Sequence, residues 1–514
     1  MRHKGRKKIL SDLIPTGDIE KDKILIPKII DITLPDHNEN VEDIKQLREY
    51  YYNITNVLNK SKVRQPNINN KIGIDYASIA VTTINAYCFA NPLTFSSRTD
   101  GIEDKIKALN DALDDDNYSQ KSLDMYLNSG ITALGYRYIV PATDEQIKQG
   151  IYFETICDLS PETTYCVYAN DLKKNKICAI TFQEKKLYTD KLRQKGTVTV
   201  YTVFTKWHKW EFYKSAGKWV NIPQYFVEPL KNEVVQWEAY PLTYKVIPII
   251  ENIRKTDRTC DFEFAISLID AINALASSRV DDVQQKVDYL ICLRDIDVWS
   301  EGALEAVKEA LRDGIMGFKS VQGATVQPSI DILDTKLNQS EIQTLQDFLC
   351  EKLEEVLNIP NRETRSSGGD TGSAVESRNG FRSLENIAGL VTSSALKAEN
   401  ESLEVILAIC ENIKSCPFRG LKPKDVQIKD NRNRVENMTT SANAYSTMRA
   451  AGMNDTDALI VSRLVPDAQS VAKKNKKEQE EKQQKELKLA QSTKQNKNSD
   501  SAAKNGSGSQ KTDE

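Results

Sequence analysis

The sequence predicts an α+β chain, mainly α-helical, with one strand-rich insert. Three observations carry that reading. Apolar residues recur at steps of three and four over most of the chain. Between residues 151 and 250 the step changes to two, and all the tryptophans but one gather there. Beyond about Val471 large apolar residues nearly vanish. Such a tail cannot bury enough surface to offset its own chain entropy.

Residues 1–40 read as an extended arm, because Pro15, Pro27 and Pro35 break any helix. From Val41, the positions Val41, Ile44, Leu47, Tyr51, Ile54 and Val57 mark one face of an amphipathic helix. Further helices are expected over 74–89, 102–113 and 120–133. The first of these stops at Asn91-Pro92, where the residue before proline avoids the helical region. In the strand-rich segment, 196–204 (GTVTVYTVF) is the clearest strand. Residues 206–213 and 218–220 flank a Ser215-Ala216-Gly217 turn and read as a hairpin.

Helix returns over 262–290, with the stripe Phe262, Ile266, Ile269, Ile272, Ala276, Val280, Val283, Val287 and Leu290. Asp261 is its expected N-cap. Phe264 and Leu268 make its start apolar nearly all round, so that end should be buried between neighbours. A short helix over 300–312 and one or two strands over 315–333 follow. Ser340 and Gln343 have capping-box spacing and open a helix with the stripe Ile342, Leu345, Leu349, Leu353 and Val356, which Pro360 ends. The segment 361–372, NRETRSSGGDTG, holds nothing that can form a core and reads as a flexible loop. Ser373 and Glu376 repeat the capping-box spacing and start the longest helix. Its stripe is Phe381, Leu384, Ala388, Val391, Ala395, Ala398, Ser402, Val405 and Ile409, with Gly380 and Gly389 as kink points. Two short helices, broken at Gly452, complete the folded part over 438–470.

Composition excludes several function classes. The 514 residues carry a formal charge of -3, which disfavours a basic groove over the whole body. Positive charge concentrates in MRHKGRKK at the start and in the segment from Lys473, so the body between them is acidic. No apolar run reaches the length of a membrane span, and only Ile9 and Leu10 follow the basic start, which is no secretory signal. The 9 cysteines contain no CxxC pair and read as reduced thiols of a cytoplasmic compartment.

Catalytic chemistry finds no foothold either. The 3 histidines are His3 in the basic arm, His37 in an early loop and His208 in the strand region. That scatter argues against a histidine triad and against a histidine metal site. There is no GxxxxGK[ST]. The nearest imitation, Ser367 to Gly372 ahead of a helix, lacks a lysine, and Asp370 would repel an anion. It reads as a linker or a mobile loop. Asp114, Asp115 and Asp116 read as solvated surface, and Cys157, Cys166 and Cys178 as small buried strand residues. No catalytic residue, cofactor or metal site is expected.

The order of parts resembles the portal proteins of tailed bacteriophages, of the type found in siphophages of Gram-positive hosts. Local stretches carry the resemblance: NNKIGIDYASIAVTTINAYCFANPLTF (69–95), NSGITALGYRYIVP (128–141), IPIIENI (247–253) and SSGGDTGSAVESRNGFRSLENIA (366–388). The most specific is FEFAISLIDAINALASSRVDDVQQKVDYLICL (262–293), with Leu268-Ile269-Asp270-Ala271, Ser277-Ser278 and Asp281-Asp282. The resemblance spans roughly residues 40–470. The loop departs from it, since the family has a shorter Ser-Gly signature there.

The resemblance implies a map. After the arm, 41–255 is the wing with its β-rich insert at 151–250. Residues 256–290 and 336–358 are the two stem helices, and 291–335 the small α/β clip. Residues 359–372 are the tunnel loop, 373–412 the long kinked wing helix, 413–471 the helical crown and 472–514 a charged tail. Arg362, Arg365, Ser366, Ser367, Gly368, Gly369 and Asp370 would face DNA. Phe262, Ile266, Ile269, Val280 and Val283 would pack the stem and its subunit interfaces.

The implied role is a non-enzymatic ring of about twelve copies at one capsid vertex, with a heterologous interface that closes. Double-stranded DNA passes through it without sequence specificity during packaging and ejection. The other implied partners are the major capsid protein, scaffolding protein, the terminase large subunit and a head-to-tail adaptor. Such a ring is assembled in the bacterial cytoplasm and ends in the virion. A non-channel scaffold or adaptor of the particle and, behind it, a DNA-processing enzyme are the rival readings.

Overall fold

The computed structural model describes residues 5–62, 66–99, 101–188, 194–228, 233–287, 291–294, 305, 329–332, 339–360, 381–432, 438–462, 465, 471–472 and 474–485. Helices and strands are both abundant, and the class is α+β. The chain forms two compact units. Met1–Asn85, Gln120–Val140 and Glu154–Val405 make the first; Ala86–Ser119, Pro141–Phe153 and Ile406–Glu514 make the second.

The first unit begins with a correction to the extended arm. Strand β1 (Ile9–Ser11) is followed by helix α1 (Ile19–Tyr51), which runs straight through Pro27 and Pro35. Each internal proline removes a hydrogen bond and costs ~3 kcal/mol. Burial outweighs that cost. Ile26, Ile29, Ile30, Ile44 and Leu47 are all fully buried on one face, and each such side chain contributes about 1.5–3 kcal/mol. The start is also well made. Asp18 accepts from the Glu20 and Lys21 N–H groups, and buried Asp22 accepts from the Thr16 and Gly17 N–H groups at 2.8 Å each.

α1 lies on a seven-stranded sheet of order β1-β5-β6-β7-β8-β12, with β9 also on β8. These strands are β5 (Thr164–Ala169), β6 (Lys176–Tyr188), β7 (Gln194–Phe204), β8 (His208–Ser215), β9 (Lys218–Asn221) and β12 (Tyr240–Pro241). Ile26, Ile29 and Ile30 of α1 share one core with Tyr165, Val167, Cys178, Ile180, Val203, Trp210 and Phe212. The expected β8–β9 hairpin is present, and its turn places Ala216 and Gly217 both at positive φ, 48° and 81°. That geometry matches the right-handed twist of the strands it joins. A hairpin of β10 (Gln224–Glu228) and β11 (Glu233–Trp237) stands as a sheet of its own. A three-stranded sheet has the order β13-β3-β4, from β13 (Ile249–Ile253), β3 (Leu134–Pro141) and β4 (Phe153–Leu159).

His37 sits inside α1 rather than in a loop. It is buried, stacks on Tyr165 at 4.2 Å between ring centroids, and meets the Glu162 carbonyl at 2.9 Å. Burial lowers its pKa from 6.5 to about 4. The unfolded chain therefore takes up a proton that the folded chain refuses, in the window from pH 6.5 down to about 4. Stability is expected to fall by up to ~3 kcal/mol as pH drops through that window. Urea unfolding across the window checks it: His37→Gln should remove about one proton of uptake on unfolding. An unchanged pH slope in the variant would assign the acid sensitivity elsewhere.

The second unit holds α3 (Glu103–Asp115) beside a two-stranded sheet of β2 (Thr94–Ser97) and β16 (Val426–Lys429), paired antiparallel. Asn110 of α3 donates to the Phe95 carbonyl of β2 at 3.2 Å, and Phe95 meets Tyr118 edge-on. The two short helices expected near the end are α9 (Met438–Ala450) and α10 (Asp455–Ser462), with Gly452 at φ 90° in the break between them. Tyr445 donates to Asp455 across that break. The remaining helices are α2 (Tyr76–Phe89), α4 (Tyr118–Thr132), the short α5 (Asp144–Lys148), α6 (Ile266–Val287), α7 (Gln339–Leu357) and α8 (Phe381–Glu411).

Candidate functional site: a helix pair and its anchorage

α6 and α7 are the centre of the site. α6 follows a single 3-10 turn, Glu263–Ala265. Its apolar start is taken up by the chain's own core except at Phe264, which is exposed against expectation because it points away from the face that α7 covers. Phe262, Ile266, Ile269 and Ile272 are buried with Leu353 and Leu357 of α7, and with Leu47, Ala80, Val81 and Ile131. Farther along α6 the stripe emerges, with Val280 at 41% and Val283 at 53% exposure. Leu345, Phe348 and Val356 of α7 are exposed too. So the five residues named for stem packing divide: three lie inside the subunit and two face outward.

Both expected caps give way to other roles. Asp261 is 7% exposed, and its carboxylate accepts from Arg254 at 2.6 and 2.9 Å rather than from the helix start. An ion pair held by two bonds outcompetes a single cap bond. Ser340 lies within α7, and the Gln343 side chain accepts from Arg279 of α6 at 2.9 Å and donates to Asp347. Gln343 therefore serves helix pairing rather than a cap. A two-stranded antiparallel sheet of β14 (Ile291–Arg294) and β15 (Ser329–Ile332) lies between the two helices in the chain. Most of 291–335 and all of 361–380 lie outside the described residues. Arg362, Arg365, Ser366, Ser367, Gly368, Gly369 and Asp370, and the Ser373–Glu376 spacing, are among them.

A second stripe on α6 is polar. Asp270, Asn273, Ser277 and Asp281 follow one another at helical spacing, and each binds the segment between α1 and α2. Asp270 accepts from Tyr50 at 2.9 Å and from Asn56 at 2.8 Å. Asn273 accepts from the Ile74 N–H at 3.0 Å, and Ser277 from the Ile72 N–H at 2.9 Å. Asp281 accepts from Lys60 at 2.8 Å, the Asn70 N–H at 2.7 Å and the Asn70 side chain at 2.9 Å. Burial alone would raise its pKa, but the Lys60 ammonium and the Asn70 donors hold it down at about 2. Asp270 also lines an acidic cleft of about 400 Å³, together with Glu49, Tyr50 and Asn56.

These are the residues that made two separate stretches distinctive in the sequence. Asn69-Asn70-Lys71-Ile72-Gly73-Ile74 and Asp270 to Asp281 are two halves of one clamp. The chain matches the family model described as phage portal protein, SPP1 Gp6-like, over residues 30–485. It belongs to this phage portal protein family. Comparison with curated proteins finds no match. Portal proteins of this family are structural rather than enzymatic. Among the described residues no group of three or more His, Cys, Asp or Glu could hold a metal ion, and no helix is long and apolar enough to cross a membrane.

Two further anchors hold the portal helices. α8 carries the expected buried stripe, from Leu384 through Ala388, Val391, Ala395 and Ala398 to Ser402 and Val405. Beside it, fully buried Glu399 receives a two-bonded grip from Arg137 of β3, at 2.8 and 2.9 Å, and a bond from Tyr126 of α4 at 2.6 Å. Arg137 also donates to Ser122 and Ser402, at 2.6 and 2.7 Å. The other anchor is N-terminal. Arg6 is buried and paired with Glu263 at 2.7 Å, one turn before α6. Gly5 permits that approach: with φ at 64°, its missing Cβ would stand 2.1 Å from the Asp257 carbonyl oxygen. Neither anchor was visible in the sequence. Asp270, Ser277 and Asp281 stood out in the sequence only as residues that carry the family resemblance, as did segment 69–95, and their pairing with each other was not legible there.

Proposed function

We propose that this portal protein forms a closed ring at one vertex of the capsid, and that the ring is the channel for DNA packaging and ejection. The observation that carries the reading is the match to the portal family over residues 30–485. The α6–α7 pair supports it: the pair is rooted in the core at one end and apolar and outward-facing beyond. In a head-to-tail ring, Val280 and Val283 of one copy pack against the next. In this reading 41–255 is the wing, α6 and α7 the stem, 291–335 the clip, 359–372 the tunnel loop and 413–471 the crown. The long helix over 373–412 bridges wing and crown.

An acidic body suits a conduit, since each tight phosphate contact adds affinity that movement must break. Arg362 and Arg365, with Glu363 and Asp370 beside them, give the loop brief contacts with passing phosphates. The clip is the docking surface for the terminase large subunit and then for the head-to-tail adaptor, while the rim meets capsid and scaffolding proteins.

Electron microscopy of the purified protein tests the ring. Closed rings of about a dozen copies are expected; rods or monomers would sink the reading and favour a non-channel scaffold. Arg365→Glu is expected to alter packaging or DNA retention and to leave ring assembly intact. Loss of rings in that variant would remove the loop from the channel.

A further inference from the structure

Cys410 and Cys416 are hydrogen-bonded to one another through their side chains. Cys410 stands in the last turn of α8, and Cys416 follows just beyond its end; both are buried and both belong to the second unit. Tight turns fold the chain between them. The Ile413 N–H donates to the Cys410 carbonyl at 3.1 Å, and the Cys416 N–H to the Ile413 carbonyl at 3.3 Å. Pro417 then has no N–H to offer. The next two amides, of Phe418 and Arg419, donate to the Cys416 side chain, and the Cys410 thiol is a third donor to it. Phe418 keeps this turn in place. It is fully buried and meets Tyr152 edge-on at 5.8 Å between ring centroids.

Donors converging on one sulfur favour its thiolate, which is the reactive form. Burial pushes the Cys166, Cys178 and Cys260 thiols up, the ordinary fate of a buried thiol. Cys416 is held below the usual thiol range instead, first by the Cys410 thiol and then by the two amides. Cys410 moves the other way, because it gives its hydrogen to that bond and is buried. The two sulfurs are thus unequal: one is set to attack, and its neighbour stands ready to resolve the product. Cys416 is only 5% exposed, which admits a small oxidant and keeps out a bulky disulfide. Glu411, Asn412, Lys414 and Ser415 between the pair are exposed, so the turn can give as the sulfurs close to a bond of about 2 Å.

We propose that Cys410 and Cys416 are a peroxide-responsive pair that closes into an intrachain disulfide and pins the last turn of α8 to the turn that follows it. The Cys416 thiolate attacks one peroxide oxygen, the O–O bond breaks, and a sulfenic acid forms. The other oxygen leaves as hydroxide and takes up the proton that Cys416 gave, as water. The Cys410 sulfur then attacks the Cys416 sulfur, the S–O bond breaks, and the Cys410 proton leaves with the hydroxide as a second water. Two thiols are oxidised and one peroxide is reduced to two waters. The pair does not depend on the ring reading. Joined to it, the pair gives the end of α8 two states: reduced during assembly in a cytoplasm, and bridged in the particle outside the cell.

The test treats the folded full chain with dilute hydrogen peroxide, blocks the remaining thiols and maps the peptides by mass spectrometry. A peptide pair joined through Cys410 and Cys416 is expected, and a dithiol reductant should reverse it. Cys350 is the control for exposure, since it is less buried than either and would react first if access alone decided. Cys166 and Cys178 are the controls for unfolding, which would expose every thiol alike. Cys416 should react at least about tenfold faster than all three. Cys410→Ala should replace the bridge with a sulfenic acid at Cys416, captured by a dimedone-type trap, while Cys416→Ala should leave Cys410 unlabelled. Oxidation of Cys350 first, equal rates at Cys166 and Cys178, or trapping at Cys410 in the Cys416→Ala chain would overturn the proposal. So would oxidation of wild-type Cys416 past the sulfenic acid with no bridge to Cys410. The wild-type map decides by itself if a variant fails to fold.

Discussion

Glu399→Ala is expected to lower the unfolding free energy by about 3–5 kcal/mol. The reason is what it leaves behind. Arg137 is fully buried, and its guanidinium faces Glu399 through two bonds. Without the carboxylate, Ser122 and Ser402 remain as neutral acceptors for a full charge, and an uncompensated buried charge is costly. Tyr126 loses its acceptor as well. Chemical denaturation of the single variant gives the number. The double variant Arg137→Met, Glu399→Leu should recover most of the loss, because an apolar pair of similar volume replaces an ion pair at little cost. A double variant as unstable as Glu399→Ala would show that the loss comes from packing, not charge. The network joins α4, β3 and α8, so the single variant should also loosen the long helix, read as faster amide exchange along 390–405.

Arg6→Ala is expected to cost a similar ~3–5 kcal/mol, by the same logic with the signs reversed. Glu263 is 1% exposed and, among the described residues, would keep the Cys260 N–H as its close donor, at 3.2 Å. Asp43, 3.7 Å from the Arg6 guanidinium, loses a cation too. The distinguishing result is local. β1 pairs with β5 in register from Ile9 to Ser11, three residues after Arg6, so loss of the anchor should loosen the chain there first. Proteolysis should therefore cut the variant near its start while the sheet core stays protected. Glu263→Gln in the Arg6→Ala background should return part of the stability. Uniform loss of protection along the chain, or no loss at all, would remove Arg6 from its role as an anchor.

The two anchors show where sequence reading reaches and where it stops. The α8 stripe was legible because seven core contacts repeat at one spacing within a single helix. The strand-rich insert was legible because alternation and turn residues are local signals, as in the β8–β9 hairpin. The family was legible from segments whose residues sit close together in the chain. α1 was not, since local rules count Pro27 and Pro35 as breakers. Apart from β1, the sheet that covers Ile26, Ile29 and Ile30 is formed by residues more than a hundred positions away. Asp261 was misjudged although its partner is near in the chain: Arg254, seven residues before it, draws it off the helix start.

The clamp on α6 draws the line most clearly. The sequence by itself determined the helix, its apolar stripe and the portal family. Period and composition act over a few turns, and they are the same in any environment. Only the tertiary structure decided that the polar stripe closes on residues 55–74, that Val280 and Val283 stay outside while Phe262, Ile266 and Ile269 go in, and that the basic start is bolted down at Arg6. Those outcomes are pairings between residues some two hundred positions apart. Their energy comes from desolvating both partners at once, and no local pattern in either segment records it.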